Sequence, residues 1–101
     1  MVRLWGLWCG PNWTAGQVKP AEDATKADAR SPCIDNLDCA CKEHDLNIAQ
    51  KGANYDGDTR LLRVAQKILN DPRELAFNPD KYAAAEVVAI AMSLVRLTRE
   101  Q

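Results

Sequence analysis

The chain's only histidine lies in a short stretch that also carries two cysteines and a carboxylate, Cys39-Ala-Cys41-Lys-Glu-His44-Asp45. An imidazole beside a carboxylate can act as a general base, whereas clustered thiols can bind a metal ion or form disulfides. Three interpretations follow: a zinc-thiolate knuckle, a disulfide anchor beside an active-site base, or an ordinary helix that carries a histidine.

A zinc site built from Cys33, Cys39, Cys41 and His44 is disfavoured by the spacing of the cysteines. Zinc knuckles usually separate the two members of a ligand pair by two to four residues. Only one residue separates Cys39 from Cys41, and two steps along a helix turn side chains about 200° apart. One ion cannot easily bind both thiolates in that geometry, so a zinc-dependent interaction domain stays a minor alternative.

An oxygen-rich site can instead be built from Asp45 and an earlier loop, Trp8-Cys9-Gly10-Pro11-Asn12-Trp13. The loop contains a glycine and an asparagine, which tolerate backbone angles that turn successive carbonyls inward. Calcium prefers oxygen ligands, including carboxylates and backbone carbonyls. If Cys9 were bonded to Cys41, one turn before His44, the loop carbonyls, the carboxylate and the imidazole would lie together.

Taken together, these motifs resemble the secreted phospholipase A2 family, and most of all its short parvovirus-type and prokaryotic branch. The resemblance rests on the Trp-Cys-Gly-Pro-Asn loop, on Cys41-Lys-Glu-His44-Asp45 in a helix, and on an aspartate that opens a second helix. It covers residues 8 to 69. The combination is specific, whereas either motif alone is a weak signal.

The resemblance implies a calcium-dependent phospholipase A2 that hydrolyses the sn-2 acyl ester of glycerophospholipids at a phospholipid membrane surface. His44 would be the general base that activates water, and Asp58 would fix the orientation of the imidazole. The bound ion would stabilise the oxyanion. The alternative function is a non-catalytic membrane-binding or interaction module that retains the fold.

The resemblance also implies a ligand set and a disulfide pattern. Calcium would be held by the carboxylate of Asp45 and by the backbone carbonyls of Trp8, Gly10 and Asn12. The disulfides would be Cys9–Cys41 and Cys33–Cys39.

Two departures from the family pattern bear on the site, and one assignment has alternatives. Asn12 stands where a second loop glycine is usual. Ile48 stands where many members carry a tyrosine that supports the distal aspartate, and Tyr55 or Tyr82 is the candidate replacement. Two further acidic residues, Asp56 and Asp80, are alternatives to Asp58 for orienting His44.

Apolar spacing predicts a mainly α fold of about three helices after an irregular N-terminal third, and the resemblance implies a small, disulfide-stapled, phospholipase A2-like fold. The expected segments are a loop region at 1–30, an active-site helix at 31–52, a second helix at 58–70 and a third at 78–99. Ser31 is the expected N-cap of the first helix, followed by Pro32. The buried stripe of the second helix is expected to comprise Leu61, Leu62, Ala65, Ile68 and Leu69. No strand is predicted.

Length and composition restrict the class of protein. The 101 residues predict a single domain at 1–101, and a net charge of −1 argues against a nucleic-acid partner. No apolar stretch approaches the roughly 20 residues of a membrane span. Four cysteines in so short a chain favour disulfides and a secreted or extracytoplasmic location, although no signal peptide is visible. The tryptophans are expected to cover the core, with contact to a lipid interface as the alternative, and the sequence does not decide whether an inhibitor or immunity protein exists.

Overall fold

A computed structural model describes residues 3–99, and this part of the chain is mainly helical, as predicted. Its elements in chain order are β1 (Trp13–Thr14), β2 (Gln17–Val18), a 3-10 turn (Ala21–Asp23), α1 (Lys26–Ala29), α2 (Asn36–Lys51), α3 (Tyr55–Leu69), α4 (Pro72–Phe77) and α5 (Pro79–Arg99). The described residues therefore contain five helices where the sequence predicted about three.

The expectation of no strand is wrong, because β1 and β2 form a short antiparallel hairpin. Trp13 pairs with Val18 and Thr14 with Gln17. The two-residue turn between them consists of Ala15 and Gly16, both with positive φ, 54° and 75°. Positive φ at both positions gives the turn a twist that matches the twist of paired strands. Alanine at the first position obscured this turn in the sequence.

The active-site helix α2 begins at Asn36, five residues later than the predicted start at 31. Its N-cap is Asp35, whose side chain accepts a hydrogen bond from the backbone N–H of Asp38. The preceding residues stay outside the helix because Cys33 is bonded to Cys39. The predicted end is confirmed, since Gly52 caps the helix with φ of 77°.

Helix α3 begins at Tyr55, three residues before the predicted start at 58. Asn54 is the N-cap, and its side chain accepts a hydrogen bond of 2.8 Å from Gly57 N–H. Asp58 therefore lies inside the first turn and is buried rather than capping the helix. The predicted stripe is confirmed at four positions, Leu61, Leu62, Ala65 and Ile68. Leu69 is only partly buried.

The additional helix α4 fills the segment that was expected to link the second and third helices. Asp71 caps it and Pro72 occupies its first turn, a typical helix start. Glu74 on α4 accepts a hydrogen bond of 2.6 Å from Lys81 on α5, which ties the two helices together. Helix α5 begins at Pro79, in agreement with the prediction.

The core lies where α3 packs between α2 and α5. Small residues on the inner face of α5, Ala84 and Ala85, allow the helix to lie close to its neighbour. Trp8 from the N-terminal segment is buried in the same core, as expected, and its indole N–H donates to the carbonyl of Pro32. None of the helices within residues 3–99 has the length and hydropathy that crossing a membrane requires.

Candidate functional site

His44 and Asp58 form a direct hydrogen bond between α2 and α3. His44 Nε2 lies 2.7 Å from Asp58 Oδ1, and the Asp58 side chain is buried. An ionised carboxylate can only accept, so Nε2 carries the proton and Nδ1 of the neutral ring keeps its lone pair. The alternatives for this contact, Asp56 and Asp80, are both exposed. The structure therefore brings Asp58 to the histidine.

Asp45 lies on the other side of the imidazole. Its Oδ1 atom is 3.8 Å from His44 Nδ1, which is too far for a hydrogen bond but close enough for an electrostatic effect. Its Oδ2 atom is buried and has no hydrogen-bond partner. Burial raises the pKa of Asp45, because the charged form loses its hydration there.

The two carboxylates also act on the histidine. Burial lowers the pKa of His44, but the interaction with the Asp45 carboxylate and the hydrogen bond that His44 donates to Asp58 outweigh that effect. The pKa of His44 is therefore raised above its ordinary value. Both partners stabilise an imidazolium, which is the form that a general base takes once it has accepted a proton.

His44 and Asp45 line a cavity of about 520 Å³. Part of its wall is the N-terminal loop, represented by Trp8, Gly10, Pro11 and Asn12. The remaining lining is apolar and comes from the N-terminal segment and the helices: Leu4, Ala21, Ile48, Leu61, Val87, Val88, Ala91 and Met92, with Thr14 and Cys41 beside them. A cavity of this size and character can accommodate an apolar ligand next to a base.

The loop takes its shape from two unusual backbone positions, Gly10 with φ of 138° and Asn12 with φ of 54°. The carbonyl of Gly10 accepts from Trp13 N–H at 3.3 Å, and that of Asn12 accepts from Lys19 N–H at 3.0 Å. A carbonyl oxygen has two lone pairs, so one hydrogen bond leaves the other lone pair available. The Cys9–Cys41 disulfide, with a Cα–Cα distance of 5.2 Å, fastens the loop to α2.

These residues fit a hard cation. A buried carboxylate oxygen without a partner is costly unless an ion or a donor satisfies it, and Asp45 Oδ2 is such an atom. Asp45 shares its cavity with Trp8, Gly10 and Asn12, whose carbonyls are the other predicted ligands. Carboxylate and carbonyl oxygens are the donors that calcium prefers.

Zinc is not supported by the cysteines of this chain. All four form disulfides, Cys9 with Cys41 and Cys33 with Cys39, so no thiolate is left for a metal. These are the pairs that the family resemblance implied. Within residues 3–99, no cluster of three or more His, Cys, Asp or Glu side chains is arranged to hold a metal ion.

Asp38 is a buried polar residue that the sequence reasoning missed. Its carboxylate accepts hydrogen bonds from the backbone N–H groups of Leu7 (3.1 Å), Trp8 (2.9 Å) and Ile34 (3.0 Å). Gly6 packs so closely that an added Cβ would clash with the Asp38 carboxylate. Asp38 therefore holds the start of the loop against α2. Its helical spacing from Cys41 and Asp45, which places it on the same face, is the signal that could have revealed it.

Ile48 stands where the family pattern has a tyrosine, and its side chain is apolar and carries no hydroxyl group. Ile48 lines the apolar cavity. The proposed replacements have other partners, since Tyr82 donates to the carbonyl of Leu69 at 3.3 Å and Tyr55 accepts from Arg96.

Comparisons with protein-family models, with curated proteins and with solved structures find no match to this chain. The functional interpretation therefore depends on the chemistry of the site, which combines a histidine with a fixed tautomer, a buried carboxylate with an unsatisfied oxygen, and an apolar cavity.

Proposed function

We propose that this protein is a calcium-dependent phospholipase A2 that hydrolyses the sn-2 acyl ester of glycerophospholipids. The observation that carries the proposal is the geometry of His44. Its Nε2 atom is bonded to buried Asp58, and its Nδ1 atom lies on the side of Asp45, whose Oδ2 atom is buried and unsatisfied. The pairing supports the resemblance to secreted phospholipases A2, because it joins residues 14 positions apart in the predicted roles.

His44 acts as the general base. Its Nδ1 atom accepts a proton from a water molecule, whose oxygen adds to the ester carbonyl carbon. The resulting tetrahedral species collapses by breaking the bond between the acyl carbon and the glycerol oxygen, and Nδ1 returns the proton to that leaving oxygen. The products are a fatty acid and a lysophospholipid. Asp58 holds the ring in the productive tautomer throughout and stabilises the imidazolium.

Asp45 and the carbonyls of Trp8, Gly10 and Asn12 would hold calcium. When bound, the ion supplies Lewis-acid stabilisation of the negative charge on the ester oxygen. The chain's own contribution is to fix the ligands before the ion arrives, through the Cys9–Cys41 disulfide and the hydrogen bonds to Asp38. Such preorganisation lowers the reorganisation needed at each turnover.

The apolar lining of the cavity suits an acyl chain. Ile48, Leu61 and Val88 lie in the same cavity as His44, so an aliphatic chain would be buried as its ester reaches the base. Expulsion of water from this space strengthens the electrostatic interactions inside it. The two disulfides are consistent with an oxidising, extracellular environment, and we propose that the protein acts outside the cytosol.

The test is fatty-acid release from phosphatidylcholine or phosphatidylglycerol vesicles, with calcium and with excess chelator. Release should require calcium and should fall by about 10²–10⁴-fold in His44→Ala, since that is the usual contribution of a general base. Asp58→Asn should also lose activity because the amide no longer fixes the tautomer. Asp56→Asn is the matched control, because Asp56 is exposed on the same helix and should keep activity.

No release from well-folded protein, at any calcium concentration and with several head groups, would contradict the proposal. The non-catalytic lipid-binding module would then be the better explanation, because the apolar cavity would remain while the chemistry would be absent.

A further inference from the structure

Helix α5 carries a row of large aliphatic side chains that face solvent. Their exposed fractions are 46% for Val87, 63% for Ile90, 61% for Leu94 and 67% for Leu97. The spacing of three, four and three residues places all four on one face of the helix. We refer to these four residues as the α5 stripe.

The α5 stripe does not belong to the core. The core-facing side of the helix consists of Ala84, Ala85 and Val88, which are buried. The stripe is bordered on its far side by polar exposed residues, Glu86 and Ser93. A helix with one apolar face in the core and a second apolar face in solvent has a surface available for a partner.

The α5 stripe borders the candidate active site. Val87 belongs to the stripe and also lines the cavity that contains His44 and Asp45. Ala91 lines the cavity as well, and at about 100° per residue it lies next to Val87 on the helix surface. Since Val87 is both exposed and cavity-lining, the cavity reaches the surface at the edge of the stripe.

The size of the stripe favours a lipid surface over a second protein chain. Four aliphatic side chains exposed by roughly half offer an apolar area on the order of 300 Å². A stable dimer buries roughly 800 Å² on each partner and requires a complementary shape. A bilayer has no such requirement, because an amphipathic helix face enters the boundary between head groups and acyl chains and is covered there.

We propose that the α5 stripe is the surface through which the protein contacts a phospholipid bilayer, so that the cavity opens toward the membrane. This inference rests on the proposed function for the choice of lipid as partner. Between Val87 and Leu97 the one ionisable residue is Arg96, which contacts Tyr55, and Glu86 borders the stripe, so the contact is mainly apolar. Binding should therefore occur on phosphatidylcholine, which is zwitterionic with no net charge, and should change little with salt.

The experiment compares two double variants that each remove two exposed apolar side chains. Ile90→Ser with Leu94→Ser changes the stripe without touching a cavity-lining residue. Leu75→Ser with Phe77→Ser is the matched control on α4, where the exposed fractions are 54% and 78%. Both are made in a His44→Ala background with excess chelator, so no lipid is hydrolysed while co-sedimentation with phosphatidylcholine vesicles is measured.

Vesicle partitioning should fall at least tenfold in the stripe variant and should stay near the parent value in the control. Equal losses in both variants, or no loss in the stripe variant, would overturn the inference. A native protein that is dimeric by sedimentation equilibrium, and that becomes monomeric in the stripe variant without any vesicle binding, would also overturn it and would identify a second copy as the occupant.

The design separates this inference from the proposed function. Because hydrolysis is switched off, binding through the stripe can be detected in a protein that proves to be inactive. Conversely, a stripe variant that retains His44 should stay active on a short-chain ester dissolved in water, because its catalytic residues are unchanged. If the native protein does not hydrolyse that dissolved ester, the result would count against the hydrolase proposal alone.

Discussion

Asp45 has a buried oxygen without a hydrogen-bond partner, and this sets the expected response of the protein to calcium. We expect Asp45→Asn to keep or raise stability in chelator, because the substitution removes a poorly solvated charge. Calcium should raise the thermal midpoint of the native protein but not that of the variant, since a ligand stabilises only the state that binds it. Differential scanning calorimetry with and without calcium measures both effects.

The matched control for this experiment is Asp56→Asn, which alters an exposed carboxylate that is not a proposed ligand. An equal calcium response in Asp45→Asn and in native protein would remove Asp45 from the ligand set.

The substitution Asp38→Asn is expected to lower the stability of the folded protein. Asp38→Asn replaces one acceptor oxygen by an amide that donates, so at least one of the N–H groups of Leu7, Trp8 and Ile34 loses its partner. A buried donor left unsatisfied costs roughly 1–3 kcal/mol, and we expect a loss of stability in that range. Urea denaturation measures the change, and Asp23→Asn at an exposed position should be close to neutral.

At the scale of single residues, the sequence was informative where the chemistry was local. His44, Asp45 and the loop before Trp13 could be identified from residue types and spacing, and Asp58 from its place before an apolar stripe. The spacing of Asp38 places it on the same helix face as Asp45, but its role could not be identified, because its partners Leu7 and Trp8 lie about 30 positions earlier in the chain. The partners of a carboxylate in the first turn of a helix depend on the tertiary fold, which spacing alone does not describe.

At the scale of elements, the short helix α1 depends on a capping arrangement with a charged partner. Thr25 and Asp28 cap α1 reciprocally, with hydrogen bonds of 2.8 and 3.1 Å. Lys19 contacts the same Asp28 carboxylate and, with the Thr25 N–H, lowers the pKa of Asp28 below its ordinary value. Because Lys19 follows β2 directly, this ion pair connects the hairpin to α1.

A dependence of stability on pH follows from this pair. The pKa of Asp28 is lower in the folded than in the unfolded chain, so the unfolded chain binds more protons and acid favours unfolding. The contribution is complete above the unfolded value of about 3.9 and is lost as the pH falls below it toward the folded pKa. Chemical denaturation of native protein and Asp28→Asn at pH 7 and pH 3 should show a smaller loss in the variant. Equal losses would contradict the assignment.

The element boundaries show why the sequence predicted helices better than their ends. The start of α2 was placed at Ser31-Pro32 because serine and proline favour a helix start, but the Cys33–Cys39 disulfide holds that segment in another conformation. Helix α3 begins earlier than predicted because Asn54 is a better-placed cap than Asp58. In both cases a tertiary contact or a nearby cap outweighed the local preference.

At the scale of the whole molecule, the Cys9–Cys41 disulfide joins the N-terminal segment to the helical core across 32 positions. Cys9→Ser with Cys41→Ser should lose about 4 kcal/mol of unfolding free energy, whereas Cys33→Ser with Cys39→Ser should lose about 2 kcal/mol because its loop is shorter. Guanidinium denaturation of the two double variants distinguishes them. Only the first should also abolish the calcium-induced rise in the thermal midpoint, since it frees the ligand loop.

The same disulfide closes the chain between residues 9 and 41 into a covalent ring. Lys26 and Arg30 lie in this ring and are exposed, which makes them accessible to trypsin. A single cut at either residue would open the backbone but leave both halves linked, so the mass would rise only by the added water until the protein is reduced. The loop and the histidine helix would stay attached to each other, and we expect a singly nicked protein to keep its calcium response until a reducing agent separates the fragments.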